Sequence, residues 1–449
     1  MSKQRIQLSD HFTYPRLLRF VLPCIGTMLF TSIYGIVDGL CVSNFVGKTA
    51  FAAVNLIMPL PMLLGTIGFM LGTGGSAIVG ITLGEGDQKK ADRYFTLFLL
   101  AALISVSVLA VLGIVFLRPI AVLLGAKGEL LDYAVRYGRI LMVSLPTFAL
   151  QNMFQSFFVT AEKPHLGFWF TVGAGCTNMV LDVLMVGIWG WGVEGAAIAT
   201  FISQLVGGVL PVFYFIDRSN SSRLHLCKTS FYSKVLRDAC INGSSELMTN
   251  LSMSLVNILY NYQLLRLAGE NGVAAYGVIM YAAFLFVAVF VGYAVGSAPI
   301  VSFHYGARNH AEVHNLYRKS LRLIAVVAVT LTLASMFIIP CVARIFVGYD
   351  AELLALTSRA FRLYALSFLI MGFNVYASSF FTALGDGVTS ALISFLRTLV
   401  FQVIAILLLP LLLGIDGIWL AVTAAELAAL AVSAAMLLTK DKVFHYRKV

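Results

Sequence analysis

Residues 47–58 read GKTAFAAVNLIM, and residues 269–280 read GENGVAAYGVIM. The two stretches align without a gap at an offset of 222 residues, and the same register continues as far as Gly84 and Gly306. Ten of the 38 aligned positions are identical, Gly74 and Gly296 among them. Chance matching of small apolar residues is the alternative, and one constant register over this length argues against it. The alignment therefore predicts a chain built from two copies of one unit.

Further echoes of this repeat lie outside the aligned stretch. GVEG at 192–195 meets GIDG at 414–417 with the same offset, and SFF at 156–158 meets SFF at 379–381 with an offset of 223. The longest polar stretch, DRSNSSRLHLCKTSFYSK at 217–234, lies between the two copies. The sequence therefore predicts an N-terminal half at 1–216, a cytoplasmic linker at 217–234 and a C-terminal half at 235–449.

The composition is that of a membrane protein. The 449 residues are 59% hydrophobic and only 12% charged, whereas soluble domains carry about 25% charged residues. A spanning helix needs about 20 apolar residues, and the short alternating segments of membrane strands do not appear. The sequence predicts an all-α polytopic protein whose twelve transmembrane helices form two pseudo-symmetric six-helix bundles. Their predicted ranges are 17–41, 51–80, 92–117, 133–160, 165–188, 195–216, 236–266, 272–302, 318–346, 357–384, 388–412 and 417–438.

The basic residues predict the orientation of these helices. Of the 31 Lys and Arg residues, 21 fall on the side of the N-terminus, 9 fall on the other side, and Arg397 lies within a span. Because basic residues accumulate on the cytoplasmic side, both termini are predicted to be cytoplasmic, in the inner membrane of a prokaryote. This distribution explains the net charge of +10 without a nucleic-acid partner. Six is an even number, so both halves start on the same side, as in transporters whose halves rock about a central site.

Five ionisable residues interrupt the predicted spans: Asp38, Asp182, Glu246, Arg397 and Glu426. Each is a functional candidate because an unpaired charge within the membrane costs several kcal/mol. Glu246 lies early in helix 7, where an interfacial or capping carboxylate is the simpler interpretation. Arg397 and Glu426 could neutralise each other in a structural pair, and a role for them in substrate binding stays open.

The N-terminal half brings further polar groups to the depth of its two carboxylates. Asn178 lies one helical turn before Asp182, and Asp38, Thr200 and Tyr137 are predicted at the same level of the bundle. Two carboxylates with amide and hydroxyl neighbours can share a proton or chelate a cation. A buried hydrogen-bonded network that only fixes helix packing remains the alternative. In the repeat register Tyr260 and Ile404 stand where Asp38 and Asp182 stand, and this asymmetry favours a coupling site in one half.

The chain resembles the multidrug and toxic compound extrusion (MATE) family over nearly its whole length. The resemblance rests on twelve spans as six plus six, on Pro23 followed fifteen residues later by Asp38, on GKTAFAAVNLIMPL after helix 1, on Asn178 with Asp182, and on GVEG before helix 6. It implies cation-coupled antiport, in which H⁺ or Na⁺ enters as an amphipathic, often cationic compound leaves.

The resemblance also implies roles for individual residues. Asp38 and Asp182 would take the proton or Na⁺, with Asn178 as an added ligand and Thr200 and Tyr137 completing the network. Pro23 would mark a bend in helix 1, and Gln151 or Asn152 in helix 4 would join the substrate cavity. Some members carry a glutamate midway along helix 7, and because Glu246 lies too early, a sodium site of that kind in the C-terminal half is not expected.

The sequence therefore predicts a secondary active efflux transporter, with no cofactor besides its coupling ion, working as a monomer in the lipid bilayer. The nearest alternative is a lipid or glycolipid flippase of the same superfamily, although the basic central cavity typical of such proteins would have only Arg397 to supply it. An intramembrane enzyme would need a nucleophile or metal constellation, which the sequence lacks. A channel would conduct without exchanging substrate.

Overall fold

The computed structural model of the protein describes residues 6–45, 48–348 and 350–447, without the side chains of residues 36, 38–45, 48, 51, 345 and 346. All regular secondary structure in this part of the chain is helical. The N-terminal half contains α1 (Tyr14–Phe45), α2 (Lys48–Ile57), α3 (Pro59–Gly84), α4 (Gln88–Leu123), α5 (Gly128–Thr160), α6 (Pro164–Asp182), a first π-helical segment (Val183–Ile188), α7 (Gly192–Gly208) and α8 (Leu210–Ile216). The C-terminal half contains α9 (Ser233–Gly306), α10 (His310–Val347), α11 (Ala351–Ala365), α12 (Phe368–Ala383), α13 (Gly387–Phe395), a second π-helical segment (Leu396–Val400), α14 (Phe401–Leu413), α15 (Ile415–Thr439) and α16 (Asp441–Phe444).

These helices make up twelve spanning segments. Within the described ranges nine helices are long and apolar enough to cross a membrane, and α11 with α12, bent by 46°, makes a tenth crossing. One of the nine, α9, is 74 residues long and is interrupted at Gly269, whose φ of 62° and ψ of −152° are not helical, so it forms two spans. The twelfth is α5, with 33 residues, whose second half is largely buried among other helices.

Several helices begin earlier than the predicted ranges because polar residues cap them. Asp87 accepts a hydrogen bond from the backbone N–H of Lys90, so that α4 starts at Gln88 rather than at 92. Asn309 caps α10 in the same way, and Asp350 caps α11. A capped first turn is polar and projects from the apolar run, which is why the limits of the apolar runs placed these starts too late.

The two ends of the chain meet at one face of the bundle. The backbone N–H of Phe12 donates to Oε1 of Glu312 at 2.9 Å, and Nδ1 of His314 contacts the carbonyl oxygen of Tyr446 at 2.9 Å. We call this the terminal face (residues 6–13, 85–87, 161–163, 217–232, 307–309, 384–386 and 440–447). The other end of the bundle is the opposite face.

Lys440 and Asp386 join two connections of the terminal face. Nζ of Lys440 lies 2.7 Å from Oδ2 of Asp386, the residue that caps α13. Burial alone would raise the pKa of this carboxyl, but hydrogen bonds from Lys440 and Thr389 outweigh it and hold the pKa below its usual value. Asp386 is therefore charged at neutral pH and holds the end of α15 to the start of α13.

Glycines let the two halves approach closely along a seam on the terminal side. A methyl group added at Gly74 of α3 would overlap the carbonyl oxygen of Ala239 of α9, and one at Gly243 would overlap that of Met70. Gly84 meets the carbonyl oxygen of Phe303 in the same manner. Backbone therefore packs directly on backbone, as it does at small-residue contacts between membrane helices.

Toward the opposite face the same helices draw apart. A methyl group added at Gly35 of α1 or Gly277 of α9 would meet nothing within 4 Å. Large apolar side chains are exposed there, including Ile33 at 48%, Met62 at 58% and Ile258 at 69%. The molecule is thus closed along the seam at the terminal face, whereas these positions toward the opposite face are not covered by other parts of the protein.

A short N-terminal strap (residues 6–13) crosses the seam at the terminal face. The backbone N–H of Leu8 donates to Oε1 of Glu162 in the N-terminal half at 3.0 Å, whereas Phe12 bonds to Glu312 in the C-terminal half. The side chains of Leu8 and Phe12 are fully buried. Arg223 of the linker pairs with Glu162 at 2.5 Å and lies over the ring of Phe303 in the C-terminal half at 4.8 Å. Strap and linker therefore both tie the halves together.

Candidate functional site

Asp182 ends α6 and lies directly before the first π-helical segment. Its side chain is 0% exposed, and that of Asn178, one turn earlier, is 1% exposed. A π-helical stretch interrupts the regular hydrogen-bond ladder and is frequently found at functional sites. The structure thus places a carboxylate and an amide on one face of α6, in the interior of the bundle, where the helix changes its winding.

The packing of α1 on α6 fixes the height of Asp38. The ring of Phe168 lies against Gly26, and the rings of Phe30 and Tyr34 lie against Gly175, so the two helices run in the same direction. This register brings the backbone of residue 38 to the level of Asn178 and Asp182. The side chain of Asp38 lies outside the described residues.

Tyr137 and Thr200 approach the same region from α5 and α7. Tyr137 is 1% exposed and belongs to a buried cluster with Val186 of the first π-helical segment and with Ala197 of α7. Thr200 lies one turn after Ala196, and its Oγ1 donates to the carbonyl oxygen of that residue at 3.0 Å. The structure therefore brings four of the predicted residues, Tyr137, Asn178, Asp182 and Thr200, to one part of the N-terminal half.

Gln151 and Asn152 lie at a different depth. The side chain of Gln151 packs against Gly207, and Gly207 lies seven residues beyond Thr200 along α7. At 1.5 Å per residue this is about 10 Å nearer the terminal face. Pro23 also lies toward that face, and α1 continues through it as one helix, with Oγ1 of Thr27 donating to the Pro23 carbonyl oxygen at 2.9 Å. A bend at Pro23 remains a prediction.

Gln204, one turn after Thr200, was not among the residues predicted from the sequence. Its Oε1 is buried without a hydrogen-bond partner among the described residues, and the same holds for Nδ2 of Asn178 and of Asn152. Buried polar atoms rarely stay unpaired, and such sites commonly hold water or an ion. The interior of the N-terminal half therefore has unused hydrogen-bonding capacity. A glutamine within an apolar helix was the signal available in the sequence.

The C-terminal half buries an ion pair instead. Nε of Arg397 donates to Oε1 of Glu426 at 2.9 Å, and these side chains are 13% and 0% exposed. Nδ2 of Asn374 donates to Oε2 of Glu426 at 2.7 Å, and the hydroxyl of Ser433 donates to Oδ1 of Asn374 at 2.9 Å. Arg397 lies in the second π-helical segment. Both carboxylate oxygens of Glu426 are thus hydrogen-bonded, and Asn374 and Ser433 were not foreseen as parts of this network.

Glu246 is neither a cap nor at a helix end. It lies more than three turns inside α9, which begins at Ser233, so the capping interpretation is wrong. The observed start of α9 is only three residues before the predicted start at 236, so Glu246 is well inside the helix in either case. Glu246 follows Gly243 by one turn, at the end of the seam, and is close enough to Arg397 to interact with its charge. Within the described ranges no three His, Cys, Asp or Glu side chains gather to hold a metal ion.

Twelve spans in two repeated halves, closed at one face and with charges buried in each half, are typical of a membrane transporter. A profile of the MatE family matches the chain at residues 23–184 and again at 247–408, once in each half. The chain belongs to the MatE family, whose members are transporters and not enzymes. The two matches also support the internal repeat.

Relatives and solved structures agree with this assignment. Multidrug export protein MepA of Staphylococcus saprophyticus is 22% identical over 433 residues, covering 95% of this chain and 94% of that protein. A crystal structure of MATE in complex with MaL6 has a TM-score of 0.93 at 22% identity, covering 99% of this chain and 100% of the other. An outward-facing multidrug resistance MATE transporter of the MOP superfamily has a TM-score of 0.92 at 23% identity, covering 99% of both chains. These likenesses establish the twelve-helix fold.

Proposed function

We propose that this protein is a secondary active efflux transporter that exports amphipathic, often cationic compounds in exchange for H⁺ or Na⁺. The observation that carries the proposal is the full burial of Asp182 in α6, a helix that packs on α1. Its equivalent in the C-terminal half is Ile404. An ionisable residue buried within the spans is costly and is a functional candidate by default. The name of the MepA relative, a multidrug export protein, supports the substrate class.

In this mechanism the cation enters from the opposite face, which is the outside if the basic terminal face is cytoplasmic. A proton on Asp38 or Asp182, or Na⁺ between them with Asn178 as a ligand, removes the repulsion of two carboxylates at one level. Thr200 and Tyr137 complete the polar surroundings. The altered contacts between α1 and α6 reshape the cavity of the N-terminal half, with α1 bending at Pro23, and release the substrate outward.

The proposal extends to the organisation of the chain. Residues 1–216 and 235–449 act as two halves that rock about the seam, with 217–234 as a cytoplasmic linker, and one copy of the chain in the inner membrane suffices. Gln151 and Asn152 contribute to the substrate cavity below the cation site. A lipid flippase is disfavoured because Arg397, the basic residue within the spans, is already paired with Glu426 and so does not offer a free charge to a pyrophosphate.

The test is transport of ethidium into proteoliposomes under an imposed pH or Na⁺ gradient. We expect Asp182→Asn and Asp38→Asn each to abolish gradient-driven transport, and the gradient that drives the wild type to identify the ion. Glu194→Gln is the matched control, because this carboxylate of the same half is half-exposed in a surface pair with Arg136. Full transport by both aspartate variants would show that these residues only pack the bundle. Transport of a lipid-linked substrate without ethidium exchange would favour the flippase.

A further inference from the structure

The linker runs along the first turns of α4 at the terminal face. The backbone N–H of His225 donates to Oδ1 of Asp92 at 3.1 Å, and that of Cys227 donates to Oγ1 of Thr96 at 3.1 Å. These bonds hold the linker beside the helix over more than one turn. Between the linker and α4 lie two cavities, one lined by basic and the other by apolar side chains.

The first cavity is basic and has a volume of about 470 Å³. It is lined by Lys89 and Arg93 of α4 and by Arg218, Asp92, His225, Cys227 and Lys228. Its one carboxylate, Asp92, already accepts hydrogen bonds from Gln88 and His225. Nε2 of His225 is buried and has no hydrogen-bond partner within the described part of the chain. Four basic side chains therefore line a space suited to an anion.

The second cavity is an apolar groove of about 390 Å³ that continues along the same helix. Its walls are Leu97, Leu100, Ala101, Ile104 and Ser105 of α4, the linker residues 229–231 and Leu236. Arg93, Leu97, Leu100 and Ile104 follow one another at intervals of three or four residues, so both cavities lie on one face of α4. Phe231 stands at the rim and is 76% exposed, as aromatic residues at a membrane interface commonly are.

The dimensions of the two cavities fit one leaflet of a bilayer. Lys89 and Ile104 are fifteen residues apart on α4, or about 22 Å at 1.5 Å per residue. One leaflet measures about 20 Å, since the whole bilayer with its headgroups is about 40–45 Å thick. The basic cavity therefore lies at headgroup height when the apolar groove lies at the height of acyl chains.

We propose that this composite site binds an anionic phospholipid, with its phosphate in the basic cavity and an acyl chain in the groove. Basic pockets beside membrane helices recognise such headgroups. The groove adds an apolar surface for an acyl chain, which a lipid has and a free anion lacks. The bound lipid fastens the linker to α4 and so stabilises the terminal face. A free phosphate shares the headgroup chemistry and is the rival occupant. This site is independent of the proposed cation exchange.

The experiment measures thermal unfolding of the full-length purified protein in detergent during titration with dioleoyl phosphatidylglycerol. The comparison ligands are dioleoyl phosphatidylcholine, which has the same chains, and inorganic phosphate. We expect phosphatidylglycerol to raise the Tm by several degrees, and the double substitution Arg93→Gln/Lys228→Gln to raise the half-saturating lipid concentration roughly 30-fold, because two basic contacts are lost. Lys228→Gln alone, at an exposed position, gives a smaller shift in the same direction if the double variant does not fold.

Two controls make the test specific. Lys234→Gln removes an exposed charge from the same segment outside both cavities and should leave the titration unchanged. Leu100→Trp fills the groove and should weaken phosphatidylglycerol without affecting any response to inorganic phosphate. Equal stabilisation by both lipids, saturation by phosphate alone, or an equal effect of Lys234→Gln would each overturn the proposal.

Discussion

At the scale of single residues, the two halves treat a buried charge in different ways. Asp182 lies beside the first π-helical segment among polar atoms that have unused hydrogen-bonding capacity. Glu426 is enclosed by Arg397, which lies in the second π-helical segment, and by Asn374. A site with unused capacity can take up and release a cation, whereas a satisfied ion pair resists change. This asymmetry is the reason why the proposed cation exchange is placed in the N-terminal half.

Arg397→Met should destabilise the protein by roughly 3–5 kcal/mol, because it leaves the carboxylate of Glu426 buried without its counter-charge. The double substitution Arg397→Met/Glu426→Gln should recover most of this loss, since the amide keeps an acceptor for Asn374. Unfolding in mixed micelles measures both variants. Arg359→Met serves as the control, because Arg359 is 70% exposed in its pair with Asp416, and exposed pairs contribute only about 0–1 kcal/mol. Equal losses in Arg397→Met and Arg359→Met would contradict the structural role.

The sequence indicated which charges lie within the membrane and suggested the pair of Arg397 with Glu426, but not the other groups that satisfy this pair. Asp182 and Arg397 stand out in apolar runs because the cost of burial makes such residues rare there. Asn374 and Ser433 do not stand out, because small polar residues are common in membrane helices. Their contribution depends on contacts between different helices. Asn374 bonds to residues that lie 52 and 59 positions further along the chain, and no local sequence pattern predicts such contacts.

At the scale of elements, one position in the connections of the terminal face differs between the halves, residue 162 and its equivalent 385. Glu162 has a left-handed φ of 60°, and its equivalent in the repeat, Gly385, has a φ of 83°. A residue other than glycine in the left-handed backbone region costs on the order of 1 kcal/mol. The N-terminal half nevertheless carries a carboxylate there, and that carboxylate holds both Leu8 of the strap and Arg223 of the linker.

Glu162→Gln should loosen the strap and make Cys24 more reactive. Cys24 is 5% exposed and lies against Gly296 at the seam, so a water-soluble thiol reagent reaches it when the terminal face opens. We expect labelling to accelerate by about tenfold in a background with the other cysteines replaced. The hydrogen bonds from Leu8 and Arg223 lose their charged acceptor, which weakens them by roughly 1–2 kcal/mol. Glu162→Gly should behave in the same way although its backbone is relaxed, because the carboxylate is the operative group.

Glu85→Gln is the matched control for Glu162→Gln, because Glu85 is an exposed carboxylate on the same face. Unchanged labelling in both variants of Glu162 would show that the strap does not hold the terminal face closed. This arrangement could not be read from the sequence, since the polar N-terminal residues carry no pattern that predicts contact with residues 162 and 312.

At the scale of the whole molecule, the seam decides which face is closed. Predicting two six-helix halves needed only the repeat and the hydropathy of the chain, and that prediction is confirmed by the fold. The state of the molecule was not predictable, because the glycines that form the seam also occur wherever membrane helices pack. The pairing of Gly74 with Ala239 and of Gly84 with Phe303 shows that the halves are in close contact on the terminal side.

Gly74→Leu should prevent the terminal face from closing, because even a methyl group there would overlap backbone atoms of α9. We expect the variant to insert and fold, to label rapidly at Cys24 and to lose gradient-driven transport. Gly277→Leu receives the same side chain where a methyl group would meet nothing within 4 Å, and it should transport at a rate close to that of the wild type. Slow labelling of Cys24 in Gly74→Leu would refute the seam as the closing surface.

The smoothness of the seam has a consequence for speed. Where side chains interdigitate, each must leave its pocket before two surfaces can separate. At Gly74, Gly84 and Gly243 the seam is formed by backbone contacts without interdigitated side chains. The two surfaces can therefore slide past each other and separate in a single motion. The rate of opening is then set by the hydrogen bonds at the edge of the seam, at Glu162 and Glu312. A single substitution there can change this rate without altering the residues that contact the substrate.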